Sequence, residues 1–259
     1  MNIRNSIVAL LLLAPLYCHP AEVTRDSPSS VSIVGGIVKG DADKLASIIR
    51  AQKKEAAGLS EIKLDSMGGD VAEAVRMGDM IKPLYLSTTV MPNKRCASAC
   101  FFIWVVGIPR SAMAPEHVIR MRQQFERLRI QGGSYVNGLL GLHRPYVPNI
   151  DEMTIVQNRV MTEVQNYLEQ QMVPRRLIDE MMSRPSNDIY WLNARDLDAI
   201  GEYRPDVEEF LIGKCGYIRT TESAIARGVS VDELLKGQQC SFDYLEQLRT
   251  RTWTAYRKS

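Results

Sequence analysis

Apolar and polar residues change rhythm several times along this chain, and each change marks an element. VSIVGGIV (31–38) follows the polar stretch TRDSPSS and is rich in β-branched residues, which predicts a strand. DADKLASIIRAQKKEA (41–56) switches to helical apolar spacing, with an aspartate cap at Asp41. EIKLDS (61–66) predicts a short strand and GGDVAEAVRMGDMIK (68–82) a second helix. LYLSTTV (84–90) predicts a third strand, and ASACFFIWVVG (97–107) a buried helix. Strand and helix alternate three times, the signature of βαβ units with helices covering a parallel sheet.

The later pattern is more helical. PEHVIRMRQQFERLRIQ is charged and helical, GGSYVNG reads as a loop, and LLGLHRP predicts one more short strand. The segment between Arg110 and Gly138, with its exposed-looking His117, is expected to control access to a site rather than support the core. Two helices follow in MTIVQNRVMTEVQNYLEQQM and PRRLIDEMMSR, and a short third in NARDLDAIG. From about Asp206 the composition changes again, and residues 206–259 read as a small helical appendage. The α/β domain is expected over 22–205.

The first 21 residues stand apart. Arg4 precedes an apolar run from Ile7 to Tyr17 and then Pro20-Ala21, the layout of a secretory signal peptide with cleavage after Ala21. That run is too short to span a bilayer, which takes about 20 residues. Bulky Tyr17 before Cys18 argues against a lipid anchor. An exported, periplasmic or secreted protein is expected.

Composition narrows the classes. The chain has 259 residues, 45% hydrophobic and 24% charged, enough to bury a sizeable core. A net charge of +2, with dispersed basic residues, gives no field pointing to nucleic acid or anionic lipid. Export leaves Cys96, Cys100, Cys215 and Cys240, an even number in an oxidising compartment, where disulfides are the default. Cys215 and Cys240 bracket a helical segment and are expected to bond. Cys96 and Cys100, at helical i,i+4 spacing, are the second candidate pair. CxxxC with few other ligands nearby does not support a metal site, and no cofactor is implied.

The candidate chemistry centres on KRCASACFFIWVVG. Ser98 lies between two alanines at the start of the apolar helix, either as a helix cap or as a nucleophile beside unpaired N–H groups. A hydroxyl nucleophile needs a base, most often histidine. Of three histidines, His19 lies by the signal peptide and His117 on a charged helix. His143 ends an apolar strand in GLLGLHRPY. Gly68-Gly69, between a strand and a helix, forms a tight turn whose N–H groups suit an oxyanion hole at the edge of a parallel sheet.

The order DSMGGDVAEAVRMGDMIK, strand, CASACFFIWVVG, GLHRP resembles the Clp peptidase family of serine proteases, within the wider Clp–crotonase superfamily. The resemblance runs from about Ser32 to Gly201. It implies a spiral α/β fold of βαβ units with a parallel sheet, and a serine peptidase acting on peptide or protein substrates. Ser98 would be the nucleophile, His143 its base, and the N–H groups of Gly69 and Ala99 the oxyanion hole. Asp188, in NDIYWLNARDLDAIG, would be the third triad member, with Asp179, Asp196 and Asp198 competing for that role. Met67 stands where the family has proline. Family members assemble in rings, so the resemblance also implies a homo-oligomer. A partner ATPase would be absent outside the cytoplasm, so ATP-driven degradation does not follow. The rival reading is a non-catalytic scaffold of the same fold whose cysteine-tied appendage docks a partner protein.

Overall fold

The computed structural model describes residues 20–55, 58–128, 137–146 and 153–259; the expected signal peptide through residue 19 and most of GGSYVNG lie outside them. The strands are β1 (Glu22–Ser27), β2 (Ser30–Val34), β3 (Glu61–Asp65), β4 (Ser87–Val90), β5 (Arg95–Ala97), β6 (Arg110–Ser111), β7 (Leu139–Leu142) and β8 (Tyr190–Trp191). The helices are α1 (Asp41–Ala51), α2 (Val71–Ile81), α3 (Ala99–Trp104), α4 (Pro115–Leu128), α5 (Met153–Gln170), α6 (Arg175–Ser183), α7 (Ala194–Ile200), α8 (Pro205–Cys215), α9 (Thr221–Ala226) and α10 (Val231–Lys258).

The larger sheet runs β1-β2-β3-β4-β6, parallel from β2 onward with β1 antiparallel at the edge. A second sheet, β5-β7-β8, pairs β5 with β7 in parallel and β7 with β8 antiparallel. A parallel bridge between Ser66 and Cys96 joins the two sheets. This mixed α/β architecture is the class the alternating pattern predicts. Val31, Ile33, Ile62 and Leu64 are fully buried in the central strands, and Phe101, Phe102 and Ile103 of α3 pack into the same core.

Several local readings change. TRDSPSS, to which its polarity assigned no element, mostly forms β1 and the turn into β2. As an edge strand it buries only Val23, so no apolar alternation announces it. Asp41 is not the cap of α1; Gly40 holds that position at φ 102°, and the Asp41 carboxylate accepts from the Val38 N–H at 2.8 Å instead. β5, β6 and β8, two or three residues each, are fixed by pairing with distant chain. Asp70 does cap α2, accepting from Glu73 N–H at 3.0 Å.

The segment after Arg110 is anchored more firmly than its charge suggests. Arg110 is buried and donates to the carbonyls of Val105 (2.7 Å), Ile200 (2.8 Å) and Gly201 (3.0 Å). Burial, with Arg204 and Arg219 adding, pushes its pKa down to about 9, so it still carries its charge at neutral pH. Ala114 and Val118 are also buried. This part of the segment supports the core.

The C-terminal residues are helical, as their pattern indicates. Cys215 and Cys240 form a disulfide with Cα atoms 5.6 Å apart. α10 starts with a Ser230–Glu233 capping box and runs back onto the α/β body. There Arg249 donates to the Tyr85 carbonyl at 3.0 Å, and buried Trp253 donates to that of Leu59 at 2.8 Å. Among the described residues no helix is long and apolar enough to cross a membrane.

Candidate active site

β5 and β7 bring the candidate nucleophile and base to one edge. Their parallel register pairs Ala97 with Gly141, and the Ser98 N–H donates to the Gly141 carbonyl at 3.2 Å. Ser98 therefore follows the end of β5, and His143 follows the end of β7.

Ser98 has φ 56° and ψ −125°, a conformation that non-glycine residues rarely adopt. Such a residue costs about 1–3 kcal/mol and persists only where its surroundings enforce it. Ser98 occupies the N-cap position of α3, yet its side chain makes no capping hydrogen bond. The cap alternative for this serine is thus not realised. Ser98 is half-buried.

The Gly68-Gly69 turn packs directly on this serine. A Cβ on Gly68, at φ 101°, would lie 2.5 Å from Ser98 Cβ and 2.9 Å from Ala99 N. A Cβ on Gly69 would lie 2.1 Å from the Ile37 carbonyl oxygen. Ile37 bridges this turn, its N–H donating to the Gly68 carbonyl at 2.8 Å and its carbonyl accepting from Asp70 N–H at 2.9 Å. In a parallel bridge of this kind the Gly69 N–H points away from Ile37. Ala99 is the first residue of α3, where no intrahelical acceptor exists for its N–H. Neither N–H donates to a group among the described residues.

His143 is half-buried, and its Nδ1 lies 2.8 Å from the Arg144 carbonyl oxygen. A carbonyl only accepts, so Nδ1 donates in this contact, and in the neutral imidazole Nε2 is then the acceptor. A general base needs that tautomer. Ser98 Oγ and His143 do not hydrogen-bond in this conformation, and sites without substrate are commonly looser than their complexes.

The carboxylates are held elsewhere. Asp188 is exposed and accepts from Arg184 at 2.9 Å. Asp179 pairs with Arg175. Asp196 accepts from Tyr190 Oη (2.8 Å), Arg176 and Asn193 N–H; burial would raise its pKa, but these donors hold it below its ordinary range. Asp198 accepts from Arg120 and sits 3.0 Å from His117 Nε2. Among the described residues, none of these aspartates reaches His143. The Arg144 carbonyl is the group oriented on the imidazole, and as a backbone atom it leaves no signal in the sequence.

His117, expected at a solvated surface, is instead partly buried against Asp198. Both line a cavity of about 850 Å³ together with Trp104, Arg110, Glu202 and Arg219, between the α/β body and the C-terminal helices. Neither Ser98 nor His143 lines it. Burial raises the Glu202 pKa there. Among the described residues no cluster of three or more His, Cys, Asp or Glu side chains could hold a metal.

Cys96 and Cys100 are bonded, with Cα atoms 5.2 Å apart. They do not share a helical turn, because Cys96 belongs to β5 and Cys100 to α3.

No family model and no curated protein matches the chain. Among solved structures it is similar to an alanine mutant of the membrane-bound stomatin-specific protease 1510-N, at 16% identity and a TM-score of 0.45, covering 73% of this chain and 83% of that one. It is also similar to a mutant of ClpP1 from Listeria monocytogenes, at 16% identity and a TM-score of 0.36, covering 68% of this chain and 89% of that one.

Proposed function

We propose that this chain is an exported serine peptidase with a Clp/crotonase-like spiral fold, cleaving peptide bonds through Ser98 and His143 without coupling to ATP. One observation carries the reading. A serine held at positive φ, capping nothing, follows a strand whose partner strand leads into His143, and it lies against two N–H groups that have no partner among the described residues. His143 Nε2 takes the proton from Ser98 Oγ as the oxygen attacks the scissile carbonyl. The developing oxyanion accepts from the Gly69 and Ala99 N–H groups. His143 then returns the proton to the leaving amine, and water, activated by the same imidazole, hydrolyses the acyl-enzyme.

Asp188 is the carboxylate that the Clp resemblance suggests, but its bond to Arg184 leaves the orienting role to the Arg144 carbonyl in this proposal. Residues 22–205 form the catalytic domain and 206–259 the helical appendage. The two disulfides suit an oxidising compartment. Peptides or proteins are the substrates, and a homo-oligomer is the proposed assembly.

A serine-reactive fluorophosphonate tests the assignment. Label on Ser98, lost in Ser98→Ala and strongly slowed in His143→Ala, supports it. Folded wild-type protein that takes no label at Ser98 would instead favour the scaffold reading. Exposed Phe210, Leu235 and Phe242 on the C-terminal helices are the observation that speaks for that alternative, as a docking face for a partner protein.

A further inference from the structure

The Cys96–Cys100 disulfide encloses Ser98. Cys96 is fully buried in β5, where it pairs with Leu140 of β7 on one side and bridges Ser66 on the other. It is therefore fixed to both sheets. Cys100 is fully buried in the first turn of α3. Between them lie only Ala97, Ser98 and Ala99, and it is Ser98 that carries the left-handed backbone.

Strand β5 and helix α3 meet at Ser98 with a sharp change of direction. A chain without a crosslink relieves a positive φ at serine by flipping the intervening peptides, which are held here by the hydrogen bonds of Ser98 N–H to the Gly141 carbonyl and of Phe101 N–H to the Ser98 carbonyl. The bridge removes that route by tying the residue two before Ser98 to the residue two after it. Gly68, packed on Ser98 Cβ, blocks movement from the other side. Together they over-determine the conformation.

We propose that the Cys96–Cys100 bridge is a covalent clamp that holds Ser98 in its reactive conformation, making the site competent only while the bridge is closed. This regulation rests on the reading of Ser98 as nucleophile. Opening the clamp is a two-electron step in which a dithiol gives two electrons and two protons to the sulfur–sulfur bond. Two cysteine thiols form, and the dithiol leaves as a disulfide. Cys96 and Cys100 act through Ser98 and are positioning residues, not catalytic ones. A peptidase of this design would be silent in a reducing compartment and would switch on where disulfides form.

The test uses the full chain. Cys96→Ala/Cys100→Ala should slow fluorophosphonate labelling of Ser98, and kcat for peptide hydrolysis, by about 100-fold with KM little changed, the scale expected for displacing a reacting atom by about 1 Å. Cys215→Ala/Cys240→Ala, which removes the other bridge, should keep the labelling rate and serves as the control for lost stability. In that control background, partial reduction by a dithiol followed by alkylation and intact-mass analysis offers a second arm. Molecules carrying phosphonate should be those with Cys96–Cys100 closed, and re-forming the bridge should restore the rate. Equal labelling of open and closed molecules, or a folded bridge-free variant within threefold of wild type, would overturn the clamp. The Ser98 backbone supplies a readout independent of activity. If NMR couplings or a crystal structure show positive φ retained without the bridge, the clamp fails even where the wild type is labelled. A wild type that is never labelled, but whose Ser98 relaxes when the bridge is removed, sinks the nucleophile reading and leaves the clamp as a conformational device.

Discussion

Gly68→Ala tests how the candidate site is held. The added Cβ would start 2.5 Å from Ser98 Cβ, 2.8 Å from the Ala97 carbonyl oxygen and 2.9 Å from Ala99 N. Carbon atoms settle at about 3.5–4.0 Å, so the serine must move by about 1 Å or more. These neighbours are backbone atoms and a Cβ, none of them the far end of a flexible side chain, so the turn at Ser98 itself has to shift. A displacement of about 1 Å at a reacting atom costs about 100-fold, equivalent to ~2.7 kcal/mol of transition-state stabilisation. Alanine at φ 101° adds strain of about 1–3 kcal/mol, and each kcal/mol lowers Tm by about 2–4 °C in a chain of this size class.

Gly40→Ala is the matched control. Gly40 has nearly the same φ, 102°, with nothing within 4 Å of the added Cβ. It should show the strain alone: a lowered Tm with labelling and turnover unchanged. The assay is the rate of fluorophosphonate labelling at Ser98 together with hydrolysis of a fluorogenic peptide library, read beside thermal melts of both variants. Gly68→Ala within threefold of wild type, at a Tm loss equal to that of Gly40→Ala, would refute the idea that the turn positions the serine. Equal activity losses in both variants would show that strain, not displacement, is responsible.

Ser98→Ala and His143→Ala should each abolish nearly all peptide hydrolysis, and the double variant should be little worse, because groups acting as a unit do not lose activity additively; additive losses would separate their roles. Asp188→Asn should keep turnover within about threefold, since Asp188 holds Arg184 and the Arg144 carbonyl orients His143; a loss of about 10⁴-fold would restore the aspartate to a triad. Glu73 is nearly buried, and burial would raise its pKa, but the N–H groups of Ala42 and Gly40, with Arg76, outweigh that and hold the carboxyl below its ordinary range. Its folded pKa is depressed, so its stabilisation is present above the unfolded carboxylate pKa and is lost as pH falls through the folded one; in Glu73→Gln, acid melts should lose that part of their pH slope, and an unchanged slope counts against the assignment. Arg110→Met leaves the carbonyls of Val105, Ile200 and Gly201 without this donor and should cost about 3 kcal/mol or more in urea unfolding; a change below ~1 kcal/mol would mean solvent replaces it freely.

The periodicities of this chain determine its class. Helical spacing in α1, α2 and α5, β-branched runs in β2 and β4 and polar–apolar alternation in β3 are local properties, so the βαβ order is legible without any contact being known. Ser98 and His143 could be nominated as candidates for a related reason, one opening an apolar helix and the other following an apolar strand where a parallel sheet exposes its edge. The helical character of the C-terminal residues was likewise readable, and so were Cys215 and Cys240 as a bonded pair. The rest depended on groups far apart in the chain. β1 pairs through its backbone at an exposed edge, and β5, β6 and β8 are too short to show a period. Arg110 reads as a surface charge until carbonyls about 90 residues away close around its guanidinium. Ser98 keeps a helix cap as its alternative reading until a φ of 56° and a side chain that makes no capping hydrogen bond exclude it. The group hydrogen-bonded to the His143 ring is a backbone carbonyl, which every residue possesses, so side-chain chemistry could nominate only a carboxylate such as Asp188. Residue type and spacing reveal what an element is made of; which atoms of two elements meet is set by packing, and that belongs to the tertiary structure alone.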